Sequence, residues 1–133
     1  MNTSNNKEAF ELSPEELAQL GNGALSYIRE IEGRDVIRLV GPQAPYRWAP
    51  DWWCYPEAVS RLDALWRAWE HLRHDGALGV SLWWRDHADH HLQILLDPAG
   101  PFMAATGQNR PGEPLPYTPP PEGLFPDLRT QPG

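Results

Sequence analysis

Apolar residues recur every three or four positions between residues 56 and 75, the longest helical pattern in the chain. Pro56 suits the first position of a helix, and Gly76 suits its end. The apolar face would carry Ala58, Val59, Leu62, Leu65, Trp66, Trp69 and Leu72. The opposite face would carry two ion pairs spaced by four residues, Glu57 with Arg61 and Asp63 with Arg67. The pattern predicts a long amphipathic helix with both tryptophans in the core.

Residues 79–97 alternate with the period of two that is typical of strands. One face would carry Val80, Leu82 and Trp84 with Leu92, Ile94 and Leu96. The other face would display Trp83, Arg85, His91 and Gln93. The polar run at residues 86–90 would form the tip between the two strands. The pattern predicts a β-hairpin that packs on the long helix and displays its charged and aromatic side chains outwards.

The first 40 residues predict a disordered lead-in, a short helix and a second hairpin. Residues 1–11 are polar, and the helix begins at a capping box formed by Ser13 and Glu16. We expect Gly21 and Gly23 to end this helix. The hairpin would turn at Gly33, because β-branched residues follow it with strand-like spacing. Residues 12–40 are therefore predicted to be a short helix plus a hairpin.

Prolines dominate two further stretches of the chain. Residues 41–56 form an extended connector that is rich in tryptophan and tyrosine. Residues 109–133 predict an extended tail, in which Leu124 and Phe125 are apolar enough to dock on the domain or on a partner. With residues 41–108 as the main domain, the predicted fold is a small single α+β domain. Its long Trp-rich helix packs on antiparallel β-hairpins, and a proline-rich tail follows.

The charge of the chain argues against direct binding to nucleic acid. The 133 residues carry a net charge of −7, and Lys7 is the only lysine beside ten arginines. Affinity for a phosphate backbone comes mainly from neutralising cations, which an acidic chain offers poorly. An acidic chain can instead compete with nucleic acid for a basic partner. The polar N-terminus, the single cysteine and the lack of a long apolar stretch predict a cytoplasmic protein without membrane association.

Two catalytic hypotheses involve few residues, and neither matches a known motif. A metal site could use His87, Asp89 and His91 at the hairpin tip, but it would need a fourth ligand. Cys54 could pair with His71, His74 or a histidine of the hairpin tip as a thiolate and imidazolium. Its surroundings, DWWCYPEA, match no nucleophile motif, and a lone cysteine is usually a small buried apolar residue. We therefore predict no catalytic residue, no bound metal and no cofactor.

The residues Trp83, Arg85 and Asp86 suggest a surface for a protein partner. Tryptophan and arginine are enriched at the energetic centres of protein interfaces. Strand alternation would place Trp83 and Arg85 side by side on the outer face of the hairpin. The alternative is a local ion pair made by Arg85, with Trp83 covering a small outer core. Both interpretations remain open at the level of sequence.

Three segments in a fixed order resemble an uncharacterised actinobacterial domain-of-unknown-function family. They are RWAPDWWCYPEAVSRLDALWRAWEHLRHD, SLWWRDHADHHLQILLDPAGPF and PPPEGLF, within residues 45–126. Members of that family often lie on plasmids, integrative conjugative elements and phages, so the resemblance implies mobile-element cargo with no established reaction. The family commonly has Cys, His and Cys where this chain has Ala49, Tyr55 and Ala105. If those residues bind metal in the family, the resemblance implies that this chain has lost most of the site.

The N-terminal run FELSPEELAQLGNGALSYIREIEG resembles the first half of a different, small alphaproteobacterial family. Two family fragments in one chain indicate recombination or an artificial sequence. The function that these patterns favour is a non-enzymatic interaction module of a mobile element that binds an unidentified protein. One alternative is an acidic antagonist, such as an anti-CRISPR protein or an antitoxin. The other is a metal-dependent hydrolase or nuclease that uses the histidines of the hairpin tip.

Overall fold

In the computed structural model, which describes residues 13–125, the chain is helical and forms no strand within that range. The α-helices are α1 (Pro14–Tyr27), α2 (Gly33–Asp35), α3 (Pro56–Leu72), α4 (Gly79–Trp83) and α5 (Asp89–Leu95). Two π-helical segments, Ile28–Glu32 and Trp84–Ala88, join α1 to α2 and α4 to α5. A short 3-10 turn, Trp52–Cys54, precedes α3. The expected lead-in, residues 1–11, lies outside the described residues, as do residues 126–133.

The predicted α+β fold with antiparallel hairpins is wrong, and the π-helical segments explain why. From the start of α4 to the end of α5, residues 79–95, the buried positions are Gly79, Trp83, Ala88, Leu92 and Leu95. Their spacing is four, five, four and three residues, which is a helical repeat with one five-residue step. That step coincides with the π-helical segment Trp84–Ala88, where each turn holds an extra residue. The step obscured the helical repeat, and the alternation taken for a strand was coincidental.

Helix α1 begins as predicted but does not end at its glycines. The Ser13 side chain accepts from the Glu16 N–H, and the Glu16 carboxylate accepts from the Ser13 N–H, both at 3.1 Å. The helix then continues through Gly21 and Gly23 to Tyr27. A Cβ on Gly23 would lie 1.9 Å from Asp63 Oδ1, and one on Gly21 would overlap the Phe125 ring. These glycines therefore permit close packing, and the predicted hairpin around Gly33 is also wrong.

The long helix α3 is the centre of the fold. It starts at Pro56 as predicted and ends at Leu72, a little before the predicted residue 75. Helix α1 packs along it, and the α4–α5 segment packs on it as well. Its tryptophans, Trp66 and Trp69, are partly buried against the core. Among the described residues, no helix combines the length and the apolar character needed to cross a bilayer.

The proline-rich segment packs across the domain, where we had expected a separate tail. Leu115 is only 6% exposed. The indole Nε1 of Trp48 donates to the Pro116 carbonyl, and that of Trp53 donates to the Thr118 carbonyl, both at 3.0 Å. At the far end of the described residues, Phe125 stacks on Trp52 with ring centroids 6.1 Å apart. Residues 109–125 therefore cover the aromatic connector.

We expect Gly23→Ala to destabilise the protein because of Asp63. The new Cβ would lie 1.9 Å from Asp63 Oδ1, and the carboxylate cannot withdraw without loss of its 2.8 Å hydrogen bond from Arg67. We expect the free energy of unfolding to fall by about 1–3 kcal/mol, the usual cost of overpacking. In an Asp63→Ala background the effect should change sign, because alanine is the better helix former by about 1 kcal/mol. Urea denaturation of the four variants measures both effects, and equal losses in both backgrounds would contradict this explanation.

We also expect residues 110–125 to be required for stability. A chain that ends at Asn109 loses the buried Leu115 and the carbonyl acceptors of Trp48 and Trp53. The loss of one buried leucine alone usually costs about 2–5 kcal/mol. A chain that ends at Phe125 keeps these contacts and is the control. Tryptophan fluorescence during urea denaturation measures both chains, and equal midpoints would show that this segment is dispensable.

Candidate binding sites

Trp83 lies in the core, so the outward orientation predicted for it is wrong. The side chain is 0% exposed, and its Nε1 donates to the Leu65 carbonyl at 2.9 Å. Its ring makes edge contacts with Trp69 and Trp84, with centroids 5.2 and 4.9 Å apart. Strand alternation had put Trp83 and Arg85 on one face. A helix turns by about 100° per residue, which separates residues that are two apart.

Arg85 and Asp86 lie on the surface and are paired with each other. The Arg85 side chain is 72% exposed, and its Nε donates to Asp86 Oδ1 at 2.8 Å. The hydrogen bond from Arg85 lowers the pKa of Asp86 below its usual value. A pair in full contact with solvent contributes little to stability. The local ion pair considered at the level of sequence is therefore present, and a role of these two residues in partner binding stays a prediction.

The surface beside Arg85 is apolar, which sequence reasoning missed. Leu78 is 61% exposed and Val80 is 46% exposed, at the start of α4. Trp84 is half-buried one turn after Val80, so the two residues lie on one face of the helix. We call the four side chains Leu78, Val80, Trp84 and Arg85 the α4 surface; Val80 and Trp84 lie on one side of the helix, and Leu78 and Arg85, seven residues apart, lie on an adjoining side. The four-residue spacing of Val80 and Trp84 was the available signal, but the hairpin prediction placed both residues inside.

The candidate metal ligands do not converge. In the α4–α5 segment, His87 and His91 are one turn apart, whereas Asp89 is displaced by about half a turn from each. Within residues 13–125, no group of three His, Cys, Asp or Glu side chains is arranged to hold a metal ion. A transition-metal site needs at least three such ligands in one place. The hairpin tip that would have gathered these side chains does not exist in this fold.

His91 belongs to a polar chain that ties α5 to α3. The Arg61 guanidinium lies 3.1 Å from His91 Nδ1 and donates at 2.9 Å to Glu57 Oε2. Burial and, next, the charge of Arg61 lower the pKa of His91 to about 4. The His91 ring is therefore neutral at pH 7. Its Nδ1 accepts a hydrogen bond from the Arg61 guanidinium. The hydrogen bond from Arg61 to Glu57 confirms the ion pair predicted between these two residues.

Cys54 lacks the surroundings of a reactive nucleophile. It is an exposed free thiol at the end of the 3-10 turn, just before α3. Desolvation and, next, the charge of Asp51 raise the pKa of the thiol, which opposes the thiolate form. His71 and His74 lie at the other end of α3, a helix about 25 Å long at 1.5 Å per residue. The hypothetical pairing of Cys54 with either of these two histidines is therefore not formed.

A cavity with two unsatisfied polar groups lies where α1 meets the connector. We call it the Glu32 cavity; it has a volume of about 290 Å³, and its walls include Ile28, Glu32, Trp48, Trp52, Leu115 and Tyr117. Glu32 is 2% exposed, and its Oε2 has no hydrogen-bond partner among the described residues. The same holds for the buried Nε1 of Trp52. Burial raises the pKa of Glu32 well above its usual value.

A second, more polar cleft lies along the contact between α1 and α3. It has a volume of about 610 Å³, and its walls include Gln19, Ser26, Arg29, Asp63, Arg67 and Glu70. Asp63 was predicted to face solvent but is only 4% exposed. Its Oδ2 accepts from Arg67 at 2.8 Å, whereas Oδ1 lies against Gly23. Burial raises the pKa of Asp63, although the hydrogen bond and the charge of Arg67 oppose the rise.

The comparisons with known proteins give one match. The family model for a domain of unknown function, DUF4913, matches residues 26–121. No curated protein and no solved structure matches the chain. The match spans the π-helical end of α1, the connector, α3 and the α4–α5 segment. It therefore includes the α4 surface and every wall residue of the Glu32 cavity named above.

We expect acid to destabilise the protein through His91. An unfolded histidine takes up a proton near pH 6.5, whereas folded His91 does so at about pH 4. Between these values the unfolded chain binds more protons, so the free energy of unfolding falls as the pH is lowered from about 6.5 towards 4. His91→Gln keeps an acceptor for Arg61 but does not titrate, and it should weaken this dependence. The exposed His74→Gln, at the far end of α3, is the control; parallel pH profiles for wild type and His91→Gln would refute the assignment.

Proposed function

The chain belongs to the DUF4913 family, a domain of unknown function, and on that premise we propose that it is a non-enzymatic protein-interaction module of a mobile genetic element. The resemblance of residues 45–126 to proteins of plasmids, conjugative elements and phages supports the association with mobile elements. The α4 surface supports the interaction role. It is the observation on which the proposal depends, and it replaces the Trp83 face expected from the sequence.

The α4 surface has the composition of an interface centre. Val80 exposes 46% of its area on the same side of the helix as the half-buried indole of Trp84, and Leu78 exposes 61% at the start of the helix. Such apolar area is costly in water and is recovered when a partner covers it. Arg85 adds a planar donor group at the edge of the apolar area, and Trp and Arg are the residues most enriched where binding energy concentrates.

Trp83 supports this surface from within the core. Its ring lies edge-on to that of Trp84 at 4.9 Å, and its indole N–H is held by the Leu65 carbonyl. The orientation of Trp84 is therefore set before any partner arrives, and a fixed side chain loses less entropy on binding. The role proposed for Trp83 is accordingly to position Trp84, while Arg85 and Asp86 contact the partner.

We expect Leu78→Ser and Arg85→Ala each to weaken partner binding by about 1 kcal/mol or more, as at interface centres generally. The chain offers matched controls for both changes. Met103 is as exposed as Leu78, at 61%, and Arg34 is an exposed, ion-paired arginine like Arg85, with side-chain exposures of 69% and 72%. Met103→Ser and Arg34→Ala should leave binding unchanged. Partners captured from an actinobacterial lysate are first identified, and their affinities for each variant are then measured by titration.

The outcomes separate the proposal from its alternatives. Equal affinities for the α4 variants and the controls would refute the role of the α4 surface. An acidic antagonist would instead bind a basic partner with strong dependence on salt and with little effect of Leu78→Ser. A hydrolase would depend on His87 and His91. Melting temperatures of all the variants show whether any loss of binding reflects unfolding.

A further inference from the structure

The Glu32 cavity has the size and the walls of a small-molecule site. Its volume of about 290 Å³ exceeds the roughly 150 Å³ that holds benzene in an engineered cavity. It lies at the lower end of the range of about 300–1,000 Å³ found for ligand pockets. Ile28, Trp48, Leu115 and the proline-rich segment supply apolar walls. A ligand with a flat apolar body of about ten heavy atoms suits this size.

Two residues that line the cavity each have a buried polar atom without a partner in the part of the chain that the structure describes. Glu32 is 2% exposed and Trp52 is 0% exposed, yet Glu32 Oε2 and Trp52 Nε1 have no hydrogen-bond partner among the described residues. Buried polar groups are nearly always satisfied, because an unmade hydrogen bond is costly. Asp63, the other buried carboxyl group, also has one oxygen without a partner, Oδ1, but its Oδ2 accepts from Arg67. Glu32 Oε2 therefore has room for a hydrogen-bond partner beyond the described residues.

We propose that the Glu32 cavity binds a small neutral molecule that carries a carboxamide group on an apolar or aromatic body. Burial favours the protonated form of Glu32 by raising its pKa. A carboxylic acid then offers one O–H donor and one carbonyl acceptor, which are complementary to the C=O and N–H of an amide. The Trp52 indole provides a further donor, which an acceptor on the ligand can satisfy. This inference is independent of the α4 surface and of the proposed function.

Charged ligands fit the cavity less well than neutral ones. A cation would meet the guanidinium of Arg29, which also lines the cavity, and the N–H of Trp52. A carboxylate would gain from Arg29 but would still lose its hydration on entering mainly apolar walls, which costs more than the transfer of a neutral amide. A neutral amide avoids both costs and still uses the polar groups of the wall.

Three probes of equal size test this ligand class on the full chain: benzamide, benzoate and benzylamine. We expect benzamide to bind saturably in calorimetry or NMR titration at neutral pH. Its binding should shift the indole N–H signal of Trp52, which is assigned by its loss in Trp52→Phe. Benzoate and benzylamine should bind at least about tenfold more weakly, since each lacks one half of the paired hydrogen bonds. Absence of saturable binding by benzamide, or tighter binding of either charged probe, would overturn the proposal.

Variants of Glu32 test whether its carboxyl group is the contact. Glu32→Met fills the same space without polar atoms, so benzamide affinity should fall about tenfold while the melting temperature stays equal or rises. Glu32→Gln keeps a donor and an acceptor and should retain affinity within about threefold. Unchanged affinity in Glu32→Met, or loss of binding in a folded Glu32→Gln, would contradict the pairing.

A matched control is present one turn away from Glu32. The hydroxyl of Tyr27 is also buried and without a hydrogen-bond partner among the described residues, but Tyr27 does not line the cavity. Tyr27→Phe should therefore leave benzamide affinity unchanged. The α4 variant Leu78→Ser should leave it unchanged as well. A loss of affinity in either variant equal to that in Glu32→Met would show a general loss of structure and refute a specific site.

Discussion

The close contact between α1 and α3 at Gly23 is the constraint on which the other features depend. Asp63 Oδ1 occupies the space where any other residue at position 23 would place its Cβ. Because Gly23 leaves that space open, α1 lies along α3 without interruption and continues into the π-helical segment Ile28–Glu32. Glu32 reaches the wall of its cavity only through this continuation. A helix that ended at Gly21 would leave both the cavity and the polar cleft unformed.

Tryptophan and proline complement each other in this fold through their hydrogen-bonding groups. Proline has a backbone carbonyl but no N–H. A proline-rich segment therefore has more backbone acceptors than backbone donors. The indole has one donor and no acceptor. Trp48 and Trp53 accordingly donate to the carbonyls of Pro116 and Thr118. These contacts hold an extended segment on the domain without a sheet.

The two buried carboxyl groups differ in how the chain satisfies them. Asp63 accepts a hydrogen bond from Arg67 and fits against Gly23, so its burial is explained by the packing of two helices. Among the described residues Glu32 Oε2 has no hydrogen-bond partner, and Glu32 lines a cavity together with the unsatisfied indole of Trp52. Replacement of an isolated buried acid by an apolar residue is often neutral or stabilising. Its presence here is therefore better explained by a bound ligand than by the fold, and the α4 surface remains a separate site.

Local chemistry along the chain determined the capping box of α1, the start of α3 and the resemblance to a domain of unknown function, which is confirmed for residues 26–121. These features depend on neighbours within about four positions or on a fixed order of residues. The roles of Gly23 and Glu32 depend on contacts between segments that are distant in sequence. The spacing of apolar residues along the chain does not predict such contacts. One extra residue in a π-helical turn obscured the helical repeat around Trp83, which is buried where the alternation predicted an outward side chain. Tertiary packing decides where such a turn forms, because π-helical turns are rare and the sequence repeat does not mark them.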